Sequence, residues 1–262
     1  MSRIDDVVAN YQEERDHYLS LLDDAPPARV LLFKGESGSG KSTLLTHCLH
    51  DFPCPEAICR VVIDFKGGRV NLPKLFNELG REIGWEHLPT FQARLNAVTG
   101  TEAVTIDRNR LLGWGNQITV FLSPEDQSVR ASRLAALSED LLTDLRGLPQ
   151  PILLILDTYE QATDATREWI EMHLLDWLDK VTQLRVLIAG QTVPEATLKW
   201  GRLSLVRHLR GVPDPQHWLP VASRVRPHQS LEERLDWLTA ICQVLDGQPS
   251  KIMQFIEALP GE

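Results

Sequence analysis

The stretch Gly35-Glu36-Ser37-Gly38-Ser39-Gly40-Lys41-Ser42-Thr43 sets glycines ahead of a lysine and two hydroxyls. Gly35, Gly40, Lys41 and Ser42 satisfy G-x-x-x-x-G-K-[ST], a spacing whose chemistry is the capture of a polyphosphate. Glycines let backbone N–H groups curl around a β-phosphate, and the start of a following helix adds partial positive charge. On this reading Lys41 reaches the β and γ oxygens, Ser42 ligates Mg²⁺ and Thr43 faces the α-phosphate, while Glu36, Ser37, Gly38 and Ser39 form the wall of the loop. The expected ligands are ATP or ADP with Mg²⁺.

Such a site needs a second acid for the metal. The run "ILLILD" ends in Asp157, at the carboxyl end of an expected strand, where parallel sheets bind their ligands. Asp157 is therefore the expected Mg²⁺ carboxylate. A hydrolytic site also needs a base for the attacking water. Thr158 follows Asp157, and the next acid is Glu160. Glu160 either reaches the γ-phosphate or caps the next helix, whose first turn favours an acid. Gln191, after "LRVLIAG", either senses the γ-phosphate and positions water or is a loop residue with no such duty. Arg185, Arg202, Arg207 and Arg210 are candidates to complete a neighbouring subunit's site, a contribution of about 10³ to 10⁵ in rate where it occurs. The sequence does not choose among them.

These residues must be held by a sheet. Continuous apolar runs at 29–35, 59–65, 151–157, 184–190 and, more weakly, 203–209 read as buried parallel strands. Helical patterns at 41–50, 72–84, 128–146 and 164–180 separate most of them, which predicts an α/β fold with a parallel sheet flanked by helices. An N-terminal helix is expected over 3–22, broken by the Pro26-Pro27 pair. Two strand-like runs around Gly113-Trp114-Gly115-Asn116 predict a β-hairpin inserted at about 100–125. Beyond 212 the strands stop, and helices at 231–245 and 250–259 predict a small helical lid over 213–262 beside a core over 1–212.

Composition narrows the function. A formal net charge of -9 over 262 residues disfavours a nucleic-acid scaffold, which needs clustered Lys and Arg; the short basic runs at 207–211 and 224–227 read as solvated rims. No apolar run is long enough for a membrane span, and the acidic amino terminus lacks the pattern of a signal peptide, so a cytoplasmic protein is expected. Cys48, Cys54, Cys59 and Cys242 match no common zinc spacing and read as reduced thiols. A GTPase is disfavoured because no [NT]-K-x-D run occurs, and a small-molecule kinase because no Arg-rich lid is evident.

Four segments together, "GESGSGKST", "LLILDTYEQA", "RVLIAGQTVP" and "LDGQPSKIMQFI", resemble the STAND class of signal-transduction ATPases, related to AAA+ and origin-recognition proteins. The resemblance covers roughly 15–85 and 128–262 and implies an ASCE/AAA+-like core. It also implies that Pro249, in the Gly247-x-Pro249 element, lies near the adenine. Two departures, Thr158 where the class often has a second acid and Gln191 where it often has Arg, bear on fast hydrolysis and not on nucleotide binding. The class usually appends a winged helix, a sensor and an effector, so those functions are expected in a partner or in the rest of a larger protein. The resemblance implies an ATP/ADP-binding switch in bacterial signalling or defence, with slow or partner-stimulated hydrolysis and self-association or a protein partner. Two other readings stay open: a module that binds ATP without turnover, and a DNA-associated AAA+-like ATPase.

Overall fold

A computed structural model describes residues 10–68, 70–99, 127–225 and 227–258. Five parallel strands, β1 (Val30–Lys34), β2 (Cys59–Asp64), β3 (Ile152–Asp157), β4 (Leu184–Gly190) and β5 (Ser204–His208), form one sheet in the order β2-β3-β4-β1-β5. The phosphate-loop strand β1 and the acid-bearing strand β3 thus flank β4. The fold is α/β as the sequence predicts, and each strand falls within its expected run.

Continuous apolar runs form strands here because both faces of the sheet are covered. Leu31 and Phe33 of β1, Leu153 and Ile155 of β3, and Leu187 and Ala189 of β4 join one core cluster with Tyr18, Leu44, Leu45 and Cys48. Those last four lie on α1 (Gln12–Ser20) and α2 (Lys41–Asp51). The alternate residues, such as Leu32, Leu154, Leu156, Val186 and Ile188, face a larger cluster. That cluster is built on α3 (Leu72–Ile83), α4 (Pro89–Thr99), α5 (Gln127–Gly147) and α6 (Asp164–Trp169). Period-two alternation between two buried faces is what a run such as "ILLIL" encodes in a central parallel strand.

One expected helix is not continuous. Over 164–180 the chain runs as α6, then a π turn at Ile170–Leu174, then a 3₁₀ turn at Leu175–Trp177. Trp169 is fully buried and donates its indole N–H to Ser138 at 2.8 Å. The wider π turn lets Ile170, Leu174 and Leu175 face the core beside it. The expected hairpin at 100–125 and residues 3–9 of the expected N-terminal helix lie outside the described residues.

After β5 the chain builds a third cluster from Val212, Trp218, Val221, Leu238, Ile241, Ile252 and Ile256. It joins α7 (Leu219–Val225), α8 (Leu231–Val244) and α9 (Pro249–Ala258). Ser230 and Glu233 close α8 with reciprocal side-chain-to-backbone bonds, the capping box that fixes a helix start. The turn between α8 and α9 packs tightly on the segment leaving β5: the Val212 N–H donates to the Gly247 carbonyl at 2.6 Å. Gly247 has φ +64°, and a Cβ there would stand 2.5 Å from Pro213 N and 2.6 Å from Val212 C. Both neighbours are backbone and cannot yield cheaply. Gly247→Ala is expected to lower stability by about 2 kcal/mol or more, combining left-handed strain with a clash. Urea denaturation checks this, and an unchanged midpoint would show that the turn relaxes freely.

Candidate functional site

The loop at 35–40 leaves β1 and enters α2 through Gly40, as its spacing predicts. Lys41 is 8% exposed and its ammonium lies 2.7 Å from the Gly35 carbonyl, 2.8 Å from the Glu36 carbonyl and 3.4 Å from Ser39 Oγ. Three donors therefore meet three loop oxygens. Burial lowers the Lys41 pKa, against the opposing pull of Glu160 and Asp157.

Asp157 ends β3 half-buried, and Ser42 lines the same cavity beside it. The Thr158 N–H donates to Asp157 Oδ1 at 2.7 Å. Burial raises the Asp157 pKa and nearby Asp64 adds to the rise, while Ser42, the bond from Thr158 and the charge of Lys41 oppose it. Ser42 and Asp157 thus supply the hydroxyl and carboxylate that a hard divalent cation requires, next to a lysine. Glycine at 38, with φ +80°, lets the loop meet α9, because a Cβ there would stand 2.2 Å from Ser250 Oγ.

Thr158 has φ +57° and ψ +41°, a left-handed conformation that a β-branched residue rarely adopts. It turns the chain into the short helix Tyr159–Gln161 and brings Glu160 back towards β4. There the Gln191 N–H donates to Glu160 Oε2 at 2.8 Å, and Gln191 Nε2 donates to Oε1 at 3.2 Å. The helix that follows is capped by Thr163, whose Oγ1 accepts from the Thr166 N–H at 3.3 Å. Glu160 is therefore not that helix's cap. It faces the site, and so does Gln191.

A cavity of about 430 Å³ collects these groups. Ser37, Gly38, Gly40, Lys41, Ser42 and Thr43 line it from the loop, with Asp157, Glu160, Gln191 and Pro249 around them. Gly35, Glu36 and Ser39 instead line a second cavity of about 730 Å³ on the other side of the loop, with Arg210 and Lys251. The remaining candidate arginines do not line the first cavity: Arg185 is 3% exposed and donates to the Leu21 carbonyl, Arg202 pairs with Asp179 at 2.9 Å, and Arg207 bridges Glu13 and Glu14.

The sequence reading missed the apolar end of the cavity, where Tyr11, Val212, Trp218 and Met253 gather. Trp218 donates its indole N–H to the Val212 carbonyl at 2.9 Å. The Tyr11 hydroxyl lies 2.6 Å from the Ser39 carbonyl and 2.8 Å from the Arg210 carbonyl, tying the loop to the segment that leaves β5. Burial, with Glu14 nearby, raises the Tyr11 pKa, so this hydroxyl stays a donor. The lid adds two bonds, from Ser250 N–H to the Gly38 carbonyl at 3.1 Å and from Gln248 Nε2 to the Ser37 carbonyl at 3.1 Å.

No protein-family model and no curated protein matches the chain. Solved structures do. A Walker-type ATPase of Pyrococcus abyssi superposes with a TM-score of 0.50 at 16% identity, over 95% of this chain and 67% of that one. A STAND protein of Pyrococcus horikoshii with a tetratricopeptide repeat sensor gives 0.51 at 14%, over 98% of this chain and 31% of its own. Cdc6p from Pyrobaculum aerophilum gives 0.51 at 14%, over 95% and 60%. The chain therefore shares the α/β P-loop NTPase fold of these structures, and it spans about a third of the STAND protein's length.

The raised pKa of Asp157 makes a stability prediction. Its folded value lies above the unfolded value, so ionising it costs stability, and that cost appears as pH rises through the folded value. Asp157→Asn keeps an oxygen for the Thr158 N–H and removes the charge. The variant is expected to melt above the parent at pH 7 without ligand, with the gap closing as pH falls into the carboxylate range. A lower melting temperature at pH 7 would show that the carboxylate stabilises the apo site.

Proposed function

We propose that this protein binds ATP or ADP with Mg²⁺ in the 430 Å³ cavity, and that the bound nucleotide sets the contact between the core (1–212) and the helical lid (213–262). The single observation that carries this reading is the meeting of Lys41, Ser42 and Asp157 in one cavity whose far wall is the lid. The volume lies within the roughly 300–1,000 Å³ of small-molecule pockets. Its polar end suits phosphates, and its apolar end, where Pro249, Trp218 and Tyr11 gather, suits a base.

Mg²⁺, held by Ser42 and Asp157, would offset charge on the terminal phosphates. The chain's own residues account for the rest. Lys41 exchanges loop carbonyls for phosphate oxygens. Glu160 takes the proton from a water that attacks the γ-phosphorus, as the P–O bond to the β-phosphate breaks and ADP leaves. Both oxygens of Glu160 already accept from Gln191, which occupies one acceptor site on each and restrains the carboxylate. That pairing supports slow or partner-assisted hydrolysis. It also supports the second reading, a module that binds ATP without turnover. Self-association or a protein partner would release Glu160. The likeness to a STAND protein supports a place in bacterial signalling or defence, inside the cytoplasm; among the described residues no helix is long and apolar enough to cross a membrane.

Two measurements test the proposal. Denatured protein is expected to release ADP or ATP on chromatography, and Lys41→Ala neither. Glu160→Gln is expected to keep nucleotide affinity while losing about 10²-fold or more in phosphate release, the scale of a general base. A parent protein with no affinity for either nucleotide would refute the site, and unchanged turnover in Glu160→Gln would remove Glu160 from the chemistry.

A further inference from the structure

A second cation lines the cavity besides Lys41. Lys66 lies in the short turn Lys66–Gly68 that follows β2, and it lines the same cavity as Asp157, Thr158, Glu160 and Gln161. We propose that Lys66 is a γ-phosphate ligand supplied in cis, by which the site tells a nucleoside triphosphate from a diphosphate. This inference rests on the reading of the cavity as an ATP site.

The turn is held in place. Strand register sets Asp64 opposite Asp157, so the residues after β2 emerge at the same carboxyl edge as the metal acid. Asp64 Oδ1 accepts the Lys66 backbone N–H at 2.8 Å, and Gln161 Oε1 accepts the Gly67 N–H at 2.5 Å. Gln161 belongs to the same short helix as Glu160. Lys66 is thereby fixed relative to the proposed base. Asp64 takes the backbone N–H and not the ammonium, and among the described residues Lys66 forms no ion pair.

Charge and position point the same way. The apolar end of the cavity leaves the terminal phosphate only the end walled by Asp157, Glu160 and Gln191. There two carboxylates would face an anion, and Lys41, which gives up the loop carbonyls at 35 and 36 for phosphate oxygens, would be shared between the β- and γ-phosphates. A triphosphate brings one more anionic group than a diphosphate, and a compact ammonium with three donors is a suitable further partner for it. None of Arg185, Arg202, Arg207 and Arg210 lines this cavity. Lys66 therefore fills from within the chain the place for which the sequence offered only a neighbour's arginine.

The test is equilibrium binding of ADP and of a non-hydrolysable ATP analogue, each with Mg²⁺, to the parent, Lys66→Ala and Lys66→Arg. Because Lys66 is exposed, its variants are expected to melt with the parent. Lys66→Ala is expected to weaken the triphosphate analogue about tenfold or more, the scale of one charge-assisted phosphate contact, and to leave ADP affinity as it was. Lys66→Arg is expected to restore part of the preference. Equal losses for the two ligands, or an unchanged analogue affinity, would overturn the assignment. If the parent binds both ligands and Lys66→Ala does not separate them, only the role of Lys66 fails. If the parent binds neither, the site itself fails, and the assignment with it.

Discussion

An ammonium that is nine-tenths out of water must satisfy its donors, and in this protein Lys41 does so on the carbonyls of its own loop. A buried charge stripped of partners costs several kcal/mol, so those bonds can be released only to oxygens that replace them. The loop thus has two ways to be complete: closed on itself, or wrapped around a polyphosphate. The other site groups lie around that alternative. Ser42 sits one residue on, beside Asp157 in the same cavity, and the charges of Asp157 and Glu160 oppose the lowering of the Lys41 pKa by burial.

The lid is coupled to the same few residues. Ser250 and Gln248 bond to the loop at Gly38 and Ser37, and the Tyr11 hydroxyl joins Ser39 to the segment that leads to the lid. On the proposed function, a loop that reshapes around phosphate would move the acceptors on which these helices rest, and the shared hydrogen bonds would carry the coupling. A second pairing, Glu160 with Gln191, ties the end of β3 to the end of β4, so the proposed base answers to the same neighbourhood.

The sheet was legible because its strands bury both faces and leave uninterrupted apolar runs, and the loop was legible because phosphate capture allows so few spacings. Asp157 followed from its place at the end of such a run. Glu160 and Gln191 remained open for a physical reason. Their pairing depends on a left-handed Thr158, a conformation that no residue preference predicts for threonine. At the apolar end only Pro249 was named from the sequence, by resemblance; Tyr11, Trp218 and Met253 come from separate elements and meet only in the folded chain. Lys66 carried a signal that went unused: a cation followed by two glycines, directly after an expected strand. The π turn after Trp169 was hidden by the helical pattern it widens.

Hydrogen exchange across the lid turn tests the coupling of nucleotide to lid most directly. The Ser250 N–H donates to the Gly38 carbonyl, so its protection reports whether α9 rests on the loop. Exchange would be followed without nucleotide, with ADP, and with a non-hydrolysable ATP analogue and Mg²⁺, under conditions where binding is saturated. A change in protection over 246–252 between the diphosphate and triphosphate states is the result expected of a switch. Identical protection in both bound states would contradict it and leave a protein that holds its nucleotide without reading it.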